Sequence, residues 1–211
     1  MKLPQAALFD DGSTGIKAVP IGHVAGVLAK HHYLGPATRG FALVDAAGVL
    51  TFANPTSRNL PQWTWLDLTR WCIVSREPNA GSRQWAGVHR WLLNNRPEVT
   101  TIVSYSDPSA GHTGALYRAC NWLWAPTWSR LRPPPSGGGT WDGVTMQSVK
   151  DRWVFPLRPD PERASVLSMK DDAVTRRAPW AEYREPQFRR GRFVPGTGGA
   201  DHKRFAAGGN A

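Results

Sequence analysis

The stretch from Trp63 to Tyr105 restricts the fold more than any other part of the chain. Trp63 to Val74 alternates, with Trp65, Leu66, Leu68, Trp71, Ile73 and Val74 apolar around Asp67, Thr69 and Arg70, and predicts a long central strand. A Pro78-Asn79-Ala80-Gly81-Ser82 loop follows. Ser82 predicts the N-cap of a helix that runs to Asn94 and gathers Trp85, Val88, His89, Leu92 and Leu93 on one face. Thr100 to Tyr105 is β-branched and aromatic, a strand ended by Ser106-Asp107-Pro108.

The flanks extend this strand, loop, helix and strand unit. Ile16 to Pro20 predicts a short strand, and Ile21 to Tyr33 a helix with Ile21, Val24, Val27 and Leu28 at helical spacing, stopped by Gly35-Pro36. Residues 40–45 and 48–54 predict an antiparallel hairpin around Asp45-Ala46-Ala47-Gly48. A helix over Thr113 to Asn121 and a strand from Trp122 to Leu131 come next. The Pro133 to Gly139 run then breaks the pattern, and Thr145 to Phe155 returns as a last strand.

With 211 residues, 41% of them apolar, one core and a tail are expected. Periodicity fades after residue 157, which divides the chain into a folded domain, 1–157, and a Pro-, Arg- and Gly-rich arm, 158–211. Between Arg176 and Arg192 six arginines face Glu182 and Glu185, a net of +4 in seventeen residues. Arg176, Arg177, Arg189, Arg190 and Arg192 are the candidates for phosphate contacts; a solvated tail is the other reading. Lys+Arg at 26 against Asp+Glu at 16 gives +10 overall, a field that favours polyanions and puts nucleic acid first among partners.

The two cysteines, Cys72 and Cys120, make neither a disulfide framework nor a CxxC motif, so an intracellular chain is expected. No apolar run suits a membrane span, and Pro4 and Asp10-Asp11-Gly12 do not suit an export signal. The eleven Trp residues can fill a core or stack on bases. Trp63 with Trp65, and Trp122 with Trp124, alternate as strand neighbours on a shared face, either packed or walling a base.

The middle segment resembles the GNAT acyltransferases, an α+β fold with a mixed sheet flanked by helices, in which acetyl-CoA enters a splay between two parallel strands. The resemblance puts pantetheine beside Cys72, Ile73 and Val74, and pyrophosphate at Ala80, Gly81 and Ser82, where helix N–H groups favour an anion. The full Gly-rich phosphate loop of that family is not present. Gly114 to Trp122 looks like the GNAT helix whose tyrosine, here Tyr117, can protonate a leaving thiolate; a core tyrosine with a bonded hydroxyl is the alternative.

Four stretches taken together are narrower: His31-His32-Tyr33-Leu34-Gly35, Leu68-Thr69-Arg70-Trp71, Ser106-Asp107-Pro108, and Gly111-His112-Thr113-Gly114 leading into Tyr117. Their order, and the ten-residue step from Asp107 to Tyr117, resemble the Mom family of phage DNA-modification proteins over roughly residues 16 to 155. The resemblance implies conversion of adenine N6 in double-stranded DNA to a carbamoylmethyl derivative that protects phage DNA from restriction, inside the bacterial host. A GNAT N-acetyltransferase for a small amine or protein, and a non-catalytic DNA-binding protein on the same core, are the rival readings.

Family membership puts His32, Tyr33, Arg70, Asp107 and Tyr117 at the site. His32, with His31 as its neighbouring alternative, can be a base or a metal ligand. Arg70 in an apolar strand needs an anion, and Asp107 is its expected partner. Iron has been linked with the family, but the sequence holds no metal-ligand spacing, and no metal residue is assigned. An extruded adenine would meet an aromatic from Tyr33, Trp65 or Trp124.

Overall fold

Alternating apolar strands need partners on both edges, and the chain meets this need with one twisted sheet. In the computed structural model the described residues are 15–125 and 150–168, together with strand residues 187–189 and 192–194. A strand, β1 (Lys17–Pro20), leads through a 3-10 turn into α1 (Ala25–His31). The hairpin β2 (Phe41–Asp45) and β3 (Gly48–Ala53) closes where Asp45 Oδ1 accepts the Ala47 and Gly48 N–H groups. Then come β4 (Trp65–Ile73), α2 (Ala80–Asn95), β5 (Thr101–Ser106), α3 (Ala115–Ala119), β6 (Leu123–Ala125) and β7 (Asp151–Pro156). The sheet order is β1-β2-β3-β4-β5-β7-β6.

Every neighbouring pair is antiparallel except β4 and β5, which α2 joins as a crossover. These two pair in parallel only from Trp65↔Thr101 to Leu68↔Ser104. Beyond that point β4 stays with β3 and β5 stays with β7, so the sheet forks. This is a mixed sheet flanked by helices, an α+β arrangement. On β4 the register jumps from Phe52↔Leu68 to Thr51↔Arg70, which leaves Thr69 as the extra residue of a bulge.

Several sequence expectations need correction. β4 begins at Trp65, which is 1% exposed, whereas Trp63 lies in the preceding turn at 84% exposed, so the two do not share a face. α2 begins two residues before Ser82: Asn79 takes φ 58°, and the Ser82 hydroxyl donates back to the Asn79 carbonyl instead of capping the helix. Asn121 ends α3 at φ 60°, the left-handed position that asparagine tolerates. Residues 126–149, with parts of two expected strands, lie outside the described residues.

The packed core does not stop at residue 157. Arg158 donates to the carbonyls of Leu93, Arg96 and Val99. Arg163, fully buried at the start of α4 (Arg163–Ser168), donates to Thr101 Oγ1 at 2.7 Å and to the carbonyls of Thr100 and Arg158. Asp160 accepts from Trp65 Nε1 and Thr100 Oγ1, and Leu167 joins the cluster of Trp65, Val103 and Val154. These are polar anchors, many of them on backbone carbonyls, which hydrophobic periodicity does not reveal. Farther on, β8 (Gln187–Arg189) and β9 (Arg192–Val194) form an antiparallel pair that matches Arg189 with Arg192; Arg176, Arg177 and Arg190 lie outside the described residues. No helix among the described residues is long and apolar enough to cross a membrane.

Candidate active site

The fork between β4 and β5 opens a cleft of about 500 Å³. Its walls are residues 31–34 at the end of α1 and just after it, Leu68, Thr69 and residues 71–73 of β4, residues 104–106 of β5, and residues 111–117 of the following loop and α3. At the point of the fork Ser104 Oγ donates to the Leu68 carbonyl at 2.8 Å and also lies 2.8 Å from Tyr117 Oη. A serine hydroxyl has one proton, so Tyr117 is the donor in the second bond. Burial, opposed by that bond, pushes the Tyr117 phenol up to about 12 and keeps it protonated at neutral pH.

The aromatic core fixes Tyr117. Its ring stacks on Trp153 at 5.2 Å and meets Trp71 and Trp122 edge-on. Gly114, at φ 72° just before α3, is required here: a Cβ would fall 2.1 Å from Trp153 Cζ2. Across the cleft Tyr33 is 47% exposed, stacks on His32 at 5.0 Å and meets His112 edge-on at 4.6 Å.

Residues 15–132, more than half of the chain, match the Mom protein family. The chain belongs to the Mom family. No curated protein sequence matches it. Among solved structures, RimL, a ribosomal L7/L12 alpha-N-protein acetyltransferase, is similar at 12% identity over 70% of this chain and 97% of its own, with a TM-score of 0.41. An acetyltransferase of the GNAT family from Bacillus anthracis is similar at 7% identity over 67% of this chain and 95% of its own, with a TM-score of 0.40.

Of the five residues that the Mom resemblance points to, His32, Tyr33 and Tyr117 line this cleft together. His32 is not placed as a base. Its Nδ1 accepts the Leu34 N–H at 3.2 Å, so the neutral ring carries its proton on Nε2 and presents a donor. Burial, followed by the charges of Arg70 and His112, lowers its pKa to about 4, so the ring is neutral at pH 7.

Asp107 is 7% exposed and does not line the cleft. Its carbonyl accepts the N–H groups of Ala110 and His112, and its own N–H points to His112 Nδ1 at 3.4 Å. Thus Asp107 shapes the loop that carries His112 against Tyr33; burial, and after it the Asp107 charge, raises the Tyr33 pKa.

The expected Arg70 to Asp107 pair is not what holds Arg70. Its Nε donates to the Gly35 carbonyl at 3.0 Å and its Nη1 to the Thr69 carbonyl at 2.8 Å, and the carboxylate that acts on it is Asp67. Arg70 faces a second recess of about 380 Å³, which shares Tyr33, Leu34, Leu68, Thr69 and Tyr105 with the cleft. Asp67 lines that recess at 4% exposed. Burial pushes its carboxyl up to about 6, against hydrogen bonds from Thr56 and the charges of Arg39 and Arg70. Sequence reasoning missed Asp67 and Ser104 as site residues, and read His112 as a structural or loop residue. The available signal was a carboxylate between Leu66 and Leu68 on a strand, where burial demands a reason.

Among the described residues the β4 edge from Thr69 to Ile73 has no strand partner on its β5 side. That edge fits an acyl-CoA arm: Trp71, Cys72 and Ile73 would lie along the pantetheine, and the α2 N-terminus, which has no side-chain cap, would face the pyrophosphate. Val74 is spent on the turn, its N–H bonded to the Ala47 carbonyl. Ala80 and Gly81 are buried in packing, and a Cβ on Gly81 would fall 2.6 Å from Ile73 Cδ1 and Leu116 Cδ1. Their small size brings helix and strand together. Trp65 and Trp124 are held elsewhere by Asp160 and Asp151, so Tyr33 is the remaining aromatic candidate for a base. Among the described residues no group of three or more His, Cys, Asp or Glu side chains could hold a metal ion. The iron linked with the family finds no donor set there.

Proposed function

We propose that this Mom-family chain is a DNA-modifying transferase. It acts on adenine N6, leaves a carbamoylmethyl-type group, and so protects phage DNA from restriction within the bacterial host. The observation that carries this reading is the fork itself, where the Ser104 and Tyr117 hydroxyls meet an unpaired strand edge inside the family match. Acetyl-CoA supplies an activated two-carbon unit when bound. Joining N6 to the methyl carbon breaks a C–H bond and removes two electrons, and the amide needs a nitrogen that displaces the thiolate, so this product requires an oxidant and a nitrogen donor besides acetyl-CoA.

The chain's own groups divide the work. Tyr117 holds a proton at Oη and can release it to a departing thiolate. His32, neutral and with its proton on Nε2, can donate to a carbonyl oxygen where charge develops. Thr69 to Ile73 align a linear arm along the strand. The +10 charge draws in the polyanion, and Arg176, Arg177, Arg189, Arg190 and Arg192 are the proposed phosphate contacts. N6 is engaged in base pairing in a duplex, so the adenine leaves the stack to reach the site, with Tyr33 against it.

Mass spectrometry of nucleosides from DNA co-expressed with the protein is the direct test. A new adduct on deoxyadenosine is expected. Unmodified DNA, with acetylation found on a small amine or a protein, would replace this reading with the N-acetyltransferase one. DNA binding without any adduct would leave an accessory DNA-binding protein.

A further inference from the structure

We propose that the recess bounded by Tyr33, Thr56, Asp67, Arg70 and Tyr105 is the base subsite, and that the Asp67 carboxylate selects a 6-aminopurine by accepting a hydrogen from its exocyclic amine. This rests on the reading of the chain as an adenine-modifying enzyme. It names a residue that the four sequence stretches do not contain.

Three observations converge on Asp67. First, the recess, about 380 Å³, is of a size that suits a small ligand and is continuous with the fork through Tyr33, Leu68, Thr69 and Tyr105. A base held there would face the end of the acyl-CoA channel. Second, Asp67 is 4% exposed, and among the described residues its carboxylate accepts from Thr56 alone, through the backbone and through Oγ1 at 3.3 Å, the latter a long bond. A carboxylate has about four lone-pair positions, so Thr56 leaves acceptor capacity unused. Third, the bulge at Thr69 turns Asp67 and Arg70 to the same face, yet Arg70 directs Nε and Nη1 to backbone carbonyls.

The chemistry of the wall defines the guest. An acceptor-only carboxylate calls for an N–H donor, two tyrosine rings suit a flat π-system, and a guanidinium at the rim suits a phosphodiester. An adenine nucleotide offers all three. Hypoxanthine has an oxygen in place of the amine and would set that acceptor against the carboxylate. Discrimination by a buried polar group that the wrong ligand leaves unpaired is the strong kind.

The test uses the full chain and short oligothymidylates that carry one central deoxyadenosine, deoxyinosine or unsubstituted purine deoxynucleoside, with binding read by fluorescence anisotropy. The flanks are identical, so their phosphate contacts cancel, and a single-stranded target removes the cost of extrusion. Wild type should bind the adenine strand about tenfold or more tightly than the other two. Asp67→Asn, whose amide can also donate to O6, should bind the adenine and hypoxanthine strands alike or reverse their order.

Equal binding of all three strands by wild type would overturn the proposal, whether or not the variant folds. So would an adenine preference that survives in Asp67→Asn. Failure of the parent reading looks different. A wild type that makes no deoxyadenosine adduct, yet loses its adenine preference on Asp67→Asn, keeps the subsite and discards the modification. A wild type that makes the adduct but binds all three strands alike does the reverse.

Discussion

The two recesses meet along Leu68, Thr69 and Tyr105 but are chemically opposite. In the fork the polar groups satisfy one another: Leu68 carbonyl, Ser104 hydroxyl and Tyr117 hydroxyl form a closed relay, the tyrosine is pinned by three tryptophans, and His32 is neutral. In the second recess Asp67 and Arg70 share one face but are bonded elsewhere, to Thr56 and to backbone carbonyls. The first arrangement is rigid and suits an uncharged group whose proton inventory must be fixed. The second carries buried charge that folding alone does not satisfy, a cost that proteins retain where a ligand completes the set.

The largest effect should come from breaking the relay. Tyr117→Phe removes one hydroxyl and preserves the stack on Trp153, so the fold should survive. Adduct formation should fall by roughly 10²-fold or more, the range for loss of a general acid. Adduct yield from co-expressed DNA, with thermal unfolding as the control, measures both. A variant that works at the wild-type rate would make Tyr117 a core residue and nothing more.

Asp67→Asn is expected to move stability the other way. Its carboxyl has a pKa near 6 in the folded chain against 3.8 as the ordinary value, so the native state binds the proton more tightly. Stability is then full below about pH 4 and is lost as the pH rises through 6. Replacing the carboxyl should therefore stabilise the protein at pH 8 by on the order of 3 kcal/mol, with little difference from wild type at pH 4. Urea unfolding at the two pH values tests this. A variant less stable than wild type at pH 8 would mean that Asp67 is fully satisfied and that the contrast between the recesses is wrong.

The smallest effect concerns His32. Its folded pKa, about 4, lies below the ordinary 6.5, so its share of stability is present above 6.5 and is lost as the pH falls toward 4. His89, lowered to about 4 by burial and then by Arg158 and Arg90, behaves in the same way. His32→Gln should lessen the drop in urea midpoint between pH 7 and pH 5 without abolishing it. An unchanged drop would mean that His32 is solvated in the native state and that the fork is wetter than its walls imply.

Much of the sheet was legible because its signals are local. The Asp45 to Gly48 turn, the β-branched run of β5 and the helical stripe of α2 each declare themselves within a dozen residues. The second recess was not legible, and the reason is Thr69. Period-two counting puts Asp67 and Arg70 on opposite faces of β4; one extra residue between them reverses that. Without the bulge, Arg70 had no acidic neighbour in view and Asp107 looked like its natural partner. The anchoring of Arg158 and Arg163 was hidden for a related reason, since besides the Thr101 hydroxyl they bond to carbonyl oxygens, which carry no sequence signature.

The unpaired edge of β4 is also a ruler. Five residues, Thr69 to Ile73, separate the mouth of the fork from the Leu68 carbonyl where the strands rejoin, a reach of about 16 Å at the usual rise per residue. The Ser104 hydroxyl on that carbonyl is the end-stop, since it occupies the acceptor that any further parting of the strands would expose. A flexible chain that enters along the edge can present its tip to Tyr117 only if it spans that distance, so length sorts the arms before chemistry does.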